Sequence, residues 1–120
     1  MNGLHLIGDL GGCRCDPKRL LDGREFEQRC LEYVKTAGLT TMSSSFHQFE
    51  GGGYTGTVVL AESHVAIHTW PEKQGLTLDV YVCNYSADHS DKARALLAAL
   101  SALFQPATLQ HHSLQRGVVG

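Results

Sequence analysis

The sequence predicts an α+β fold, a two-layer sandwich in which a mostly antiparallel sheet has two helices on one face. Three observations point there. The elements read in the order β-α-β-β-β-β-α-β, and runs of adjacent strands with few helices favour antiparallel pairing with the helices on one side. The strands alternate apolar and polar residues, as sheets with a single covered face do. The 120 residues, 42% hydrophobic and 18% charged, suffice for one domain (1–120) with one core.

Leu4 to Leu10 forms the first strand, and Gly11, Gly12 and the Asp16-Pro17 pair end it in a turn. Asp22, with Glu25 three residues later, reads as a capping box. Phe26, Cys30, Leu31 and Val34 follow at helical spacing, and Gly38 stops the helix. Leu39 to Phe49, rich in Thr, Ser and Phe, is the second strand, and Gly51, Gly52 and Gly53 turn it back into Tyr54 to Ala61. His64 to Thr69 is a short strand closed by Trp70-Pro71, and Leu76 to Cys83 is another. Asp88 or Ser90 caps a second helix with the apolar stripe Leu96, Leu97, Leu100, Leu103 and Phe104, ended by Pro106. Thr108 to His112 is a last edge strand. The His111-His112 pair is expected to be exposed, and the tail after Gln115 to be loose.

Composition narrows the function classes. Ten Lys and Arg against twelve Asp and Glu leave a charge of −2, which argues against binding nucleic acid by bulk electrostatics. The basic residues between Arg14 and Lys35 alternate with Glu25, Glu27 and Glu32 as a solvated helix face. Met1 to Leu10 lacks the basic start of a signal peptide, and no apolar run approaches the ~20 residues that span a bilayer. A cytoplasmic protein is expected, with Cys13, Cys15, Cys30 and Cys83 as reduced thiols. Seven histidines are the oddest entry in so short a chain.

Strand parity divides the sheet. Leu78, Val80 and Val82 point toward the helices, and Asp79, Tyr81 and Cys83 point away; Leu4, Leu6 and Leu10 oppose His5 and Asp9. His47 and Phe49 share a face. A bare face bearing Phe49, Tyr81 and Cys83 calls for a cover, and a second copy of the chain is the expected one.

Taken singly, the reactive residues have ordinary readings. Ser63 caps a turn, His68 is a hydrogen-bonded strand histidine, and Cys83 is a small hydrophobe. Ser63 lacks the Gly-x-Ser-x-Gly elbow of a hydrolase. His64 and His68 lie on a strand without the glutamate of a metalloprotease helix. Cys13-x-Cys15 with Cys30 and His5 does not follow a standard zinc spacing, so no metal is expected.

Together these residues form a longer pattern. Leu60-Ala61-Glu62-Ser63-His64-Val65-Ala66-Ile67-His68-Thr69-Trp70-Pro71-Glu72, then Leu78-Asp79-Val80-Tyr81-Val82-Cys83, closely resembles the signature of the short bacterial and archaeal S-adenosylmethionine decarboxylase proenzymes. Phe46-His47-Gln48-Phe49 resembles the end of that family's second strand, and Asp9-Leu10-Gly11-Gly12-Cys13 its first-strand exit. The resemblance implies a cofactor made from the backbone. Ser63 attacks the Glu62 carbonyl, the resulting ester eliminates, and loss of ammonia leaves a pyruvoyl group at residue 63. The products are a β chain (1–62) and an α chain (63–120). By the same resemblance His68 takes the proton in the elimination, and Thr55, where the family normally has Ser, supplies a hydroxyl during processing. Ser63, as pyruvoyl, forms a Schiff base with the small-molecule substrate, and Cys83 reprotonates it. Phe49 stacks on the adenine and Glu72 binds the ribose.

The implied product is the aminopropyl donor for polyamine (spermidine) synthesis, and the implied assembly is a dimer of αβ units. Two differences stand out. Cys83-Asn84-Tyr85-Ser86-Ala87-Asp88 replaces the usual Cys-Gly-Asp, and Ser45 stands where many members have His. The rival readings are a pyruvoyl decarboxylase of ornithine or arginine and, in a different class, a non-catalytic α+β dimerisation or metal-binding domain.

Overall fold

The computed structural model describes residues 2–118. Its elements are β1 (Asn2–Gly11), α1 (Lys18–Leu21), α2 (Gly23–Thr36), β2 (Thr41–Gln48), β3 (Tyr54–Leu60), β4 (Ser63–Trp70), β5 (Gly75–Cys83), α3 (Ser90–Ala102) and β6 (Thr108–Gly117), with a 3-10 turn at Pro71–Lys73. The strands form one six-stranded sheet in the order β2-β3-β4-β5-β1-β6, antiparallel at every pairing. The predicted α+β sandwich is borne out.

Alternation decides which face the helices cover. Leu4 and Leu6 of β1, Val58 of β3, Val65 and Ile67 of β4, and Leu78, Val80 and Val82 of β5 are buried against Phe26, Cys30 and Val34 of α2 and Leu96, Leu97 and Leu100 of α3. Each such side chain contributes about 1.5–3 kcal/mol when fully buried. On this side the ring of Phe46 crosses Gly56, its partner on β3, so closely that any Cβ at residue 56 would meet it.

The helix boundaries follow from local chemistry. The Asp22 carboxylate accepts the backbone N–H groups of Arg24 and Glu25 (both 3.1 Å) and caps α2. Glu25 does not complete the capping box. It pairs instead with Arg19 and Arg29. Gly38, at φ 83°, lets the Leu39 N–H return to the Val34 carbonyl and ends the helix as expected. His89 occupies the N-cap position of α3, while Asp88 takes the Ser90 N–H at 2.9 Å.

The structure departs from expectation at three places. Helix α1 is an additional short turn, held by its carbonyls: Tyr54 donates to Arg19 O and Thr69 to Leu20 O, both at 2.8 Å. The 3-10 turn after β4 is a second addition. The last strand does not stop at His112, nor is the chain loose after Gln115. β6 pairs with β1 from Gly11↔Thr108 to Asn2↔Gly117, because β1 is long enough to template ten residues. His111 and His112 are exposed as expected, but within that strand. Residues 119 and 120 of the expected loose tail lie outside the described residues.

No helix among the described residues covers the other sheet face. It bears Thr55 and Val59 of β3, His64 and His68 of β4, Thr77, Asp79, Tyr81 and Cys83 of β5, and His5 and Ile7 of β1. Phe49, Val59, Trp70 and Leu114 remain exposed.

Candidate active site

Leu60 pairs with Ser63, so Ala61 and Glu62 alone connect β3 to β4. The Glu62-Ser63 bond lies at the end of the sheet where β4 begins. The Glu62 carbonyl accepts the backbone N–H of Cys83 at 3.1 Å. The Glu62 carboxylate accepts the Ser86 hydroxyl and, at 3.4 Å, the Ser86 N–H. It also lies 3.3 Å from Nε2 of His89. The Ser86 hydroxyl is the main reason that this carboxyl is held below its ordinary 4.5. Ser63 shares the parity of Val65 and Ile67, on the helix side. With Leu39, Thr40, Leu60, Glu62, Ser86 and His89 it lines a cavity of about 210 Å³. Cys83 ends β5 next to Val82, the partner of Ser63, and is half-buried on the open face.

The remaining sequence-predicted residues gather at the opposite end of the sheet. Thr55 and His68 are cross-strand partners, and Thr55 Oγ1 is 3.0 Å from His68 Nδ1. His68 stacks on Trp70 with ring centroids 6.2 Å apart. Phe49 lies just past β2 with its ring against His47 at 4.7 Å, and Glu72 is exposed on the 3-10 turn. The candidate residues therefore fall into two groups. Ser63 and His68 are five positions apart on one strand. That puts them on opposite faces and about 17 Å apart along the strand.

Between the groups, the open face holds a cluster of ionisable side chains. His5 Nε2 is 3.4 Å from Asp79, and the rings of His5, His64 and Tyr81 meet at 5.7–6.3 Å. Arg116 lies over the Tyr81 ring at 5.1 Å. Burial, and then His5, push His64 below its ordinary 6.5. Cys13, Cys15 and Cys30 are buried on the core side, and burial pushes Cys30 up to about 12. Among the described residues no group of three or more His, Cys, Asp or Glu is arranged to hold a metal ion. No helix among the described residues is long and apolar enough to cross a membrane. A larger apolar groove of about 470 Å³, between α3 and β6, contains none of the candidate residues.

Sequence reasoning did not single out Ser86 and His89, although both lie in or beside the segment after Cys83 that was noted as unusual. Their contacts to Glu62 depend on how that loop folds back. The one available signal was a polar segment replacing a short glycine-containing one.

Comparisons with known proteins bear on the family and the fold. Residues 4–117 match the family model described as S-adenosylmethionine decarboxylase. An S-adenosylmethionine decarboxylase proenzyme of Hydrogenobaculum sp. (strain Y04AAS1) is 41% identical over 98% of this chain and 83% of its own length. That of Pyrococcus furiosus is 33% identical over 97% of this chain and 79% of its own. The crystal structure of the adenosylmethionine decarboxylase from Aquifex aeolicus superposes with a TM-score of 0.82 at 38% identity, covering 98% of this chain and 92% of that one. The chain belongs to the S-adenosylmethionine decarboxylase family and is a decarboxylase of that family.

Proposed function

We propose that the chain is a proenzyme that cuts itself between Glu62 and Ser63, gains a pyruvoyl group at residue 63, and then decarboxylates S-adenosylmethionine to the aminopropyl donor of polyamine (spermidine) synthesis. The observation that carries this reading is the setting of the bond. The Glu62 carbonyl receives a backbone N–H from Cys83, and the Ser63 side chain lines a cavity beside it. A fixed N–H at a carbonyl under attack stabilises the oxyanion that develops there. The group is made from residue 63 itself, so this small domain needs no separate cofactor pocket. When present, a pyruvoyl group supplies an electron-accepting carbonyl for loss of carbon dioxide.

The chain's own residues take the remaining roles. His68, whose Nδ1 is held by Thr55, presents Nε2 as a base for the Ser63 Cα proton. The Thr55 hydroxyl stands ready to stabilise the oxyanion formed during processing. Cys83 returns a proton to the substrate α carbon from its free, half-buried thiol. Phe49 offers a face to the adenine and to the sulfonium charge. Glu72 offers a carboxylate to the ribose hydroxyls. Phe49 and Glu72 favour a nucleoside substrate over ornithine or arginine, which have no ring to stack.

These roles require a homodimer. Ser63 and Cys83 occupy one end of the sheet, and Phe49, Thr55, His68 and Glu72 the other. Two copies packed open face to open face about a two-fold axis, with β4 reversed between them, bring the first group of one copy to the second group of its partner, twice per dimer. The same packing covers Phe49, Val59 and Trp70. Four unpaired cysteines suit a reducing compartment, so the proposed location is cytoplasmic.

The test is release of labelled carbon dioxide from carboxyl-labelled S-adenosylmethionine, ornithine and arginine by the purified chain. Release from S-adenosylmethionine is expected. Release from ornithine or arginine alone refutes the substrate, and release from none refutes the enzyme.

A further inference from the structure

Glu62 is an unusual glutamate. Exposed carboxylates on two-residue turns ordinarily point into solvent, where holding a long side chain in one geometry costs rotamer entropy. Here the residue is held at its carbonyl by Cys83 and at its carboxylate by Ser86 and His89. All three partners lie in one stretch of chain, from Cys83 at the end of β5 to His89 at the start of α3. That segment is braced in turn. The Asn84 side chain accepts the His89 N–H at 2.8 Å and donates to Ser90 at 3.2 Å, and the Asn84 N–H reaches Asn2 O at 2.7 Å. Among the described residues, His89 Nδ1 is buried and has no partner. A proton there would leave a buried donor unpaired, so the favoured neutral tautomer carries its proton on Nε2, facing the Glu62 carboxylate.

We propose that Ser86 and His89 form a clasp on the Glu62 side chain that positions the scissile carbonyl for attack by Ser63, with His89 as a positioning residue for self-cleavage. This rests on the self-cleavage reading above. In the step concerned, the Ser63 Oγ–Glu62 carbon bond forms and the Glu62 carbon–Ser63 nitrogen bond breaks. The hydroxyl proton ends on the freed nitrogen, and no co-reactant is needed. The attack closes a five-membered ring, so its rate depends on how the Glu62 carbonyl is turned toward the hydroxyl. With the Glu62 carboxylate anchored, residue 62 cannot swing about its Cα in the two-residue turn. Without the anchor, the Cys83 N–H is the hydrogen bond left to the Glu62 carbonyl among the described residues.

The experiment follows cleavage of newly synthesised full-length chain by intact-mass spectrometry, with Ser63→Ala as the uncleaved control and His68→Ala as a second reference. His89→Ala is expected to slow the first-order cleavage rate by about tenfold or more, and His89→Gln, which keeps a donor at the same reach, to recover most of it. Hydroxylamine, which cuts esters but not amides, is expected to release product from His68→Ala and to add nothing to His89→Ala. A clasp acts before the ester forms, whereas a base for elimination acts after it.

Three results overturn the proposal. They are wild-type cleavage by His89→Ala, a His89→Gln chain as slow as His89→Ala, and an ester that accumulates in His89→Ala and yields to hydroxylamine. Should His89→Ala melt below the assay temperature, Ser86→Ala at its exposed loop position is judged by the same criteria. A wild-type chain that is never cleaved overturns the self-cleavage reading, and the clasp with it; cleavage of wild type with no effect of the variants overturns the clasp alone.

Discussion

A His68→Ala chain is expected to stay intact alone and to be cut when co-expressed with a Ser63→Ala chain. The reason is distance. Within one chain, five strand positions separate Ser63 from His68, about 17 Å along the strand. A proton-transfer partner must come within about 3 Å. On the proposed roles, the His68 that serves a given Ser63 therefore belongs to another copy. In a mixed dimer, one site combines Ser63 and Cys83 of the His68→Ala chain with His68, Thr55, Phe49 and Glu72 of the Ser63→Ala chain, and is complete. The other site lacks both groups. Random pairing of equal amounts makes about half of the dimers mixed, so about half of the His68→Ala chains are cut, and decarboxylation reaches about a quarter of the wild-type level. The assay uses two chains of different mass carrying one common tag, purified together so that every dimer is retained, with intact mass and carbon dioxide release as readouts. Cleavage of His68→Ala expressed alone at the wild-type rate refutes the role of His68. Cleavage that the Ser63→Ala partner does not improve refutes the shared site.

Four further outcomes are expected. Cys83→Ala leaves its backbone N–H on Glu62 and is cut at least partly, yet loses decarboxylation or inactivates with turnover; wild-type turnover removes Cys83 as proton donor. Thr55→Ala, which frees His68 Nδ1, slows processing several-fold, the scale of one hydrogen bond worth about 1 kcal/mol, whereas Thr55→Ser does not; a time course of cleavage measures both. His64 is held below its ordinary 6.5, so below that value the unfolded chain takes up a proton that the folded chain resists. Stability is therefore full above that value and falls as pH drops through it, and in a pH series of melting temperatures His64→Gln flattens the slope. Gly56→Ala sets a methyl against the Phe46 ring and lowers stability in urea by about 1–3 kcal/mol, or more if the ring cannot shift.

The architecture was legible because its signals are local and repeated. Alternation in β1, β3 and β5 marks a sheet with one covered face, and Asp22 and Gly38 delimit α2 through bonds that the structure contains. The misses are elements held by distant partners. Helix α1 is four residues, too short for a periodic stripe, and depends on Tyr54 and Thr69. The far half of β6 has no apolar alternation, and all ten of its residues are exposed; it exists because the backbone of β1 offers a ladder.

The site divides in the same way. The residues around Ser63, His68 and Cys83 were legible as a linear pattern. That the pattern belongs to two ends of a sheet was not, since closeness in sequence hides the extended rise of a strand. Parity alone already places Ser63 and His68 on opposite faces. The hold of Ser86 and His89 on Glu62 was not legible, because it depends on the path of the loop between β5 and α3.

The central claim is that residue 63 is made into the cofactor. Its most direct test is the intact mass of the purified full-length chain. The account predicts two species that divide between Glu62 and Ser63, the one beginning at residue 63 being lighter by one ammonia than an unmodified chain with a free Ser63. A single full-length species that persists on long incubation would contradict it.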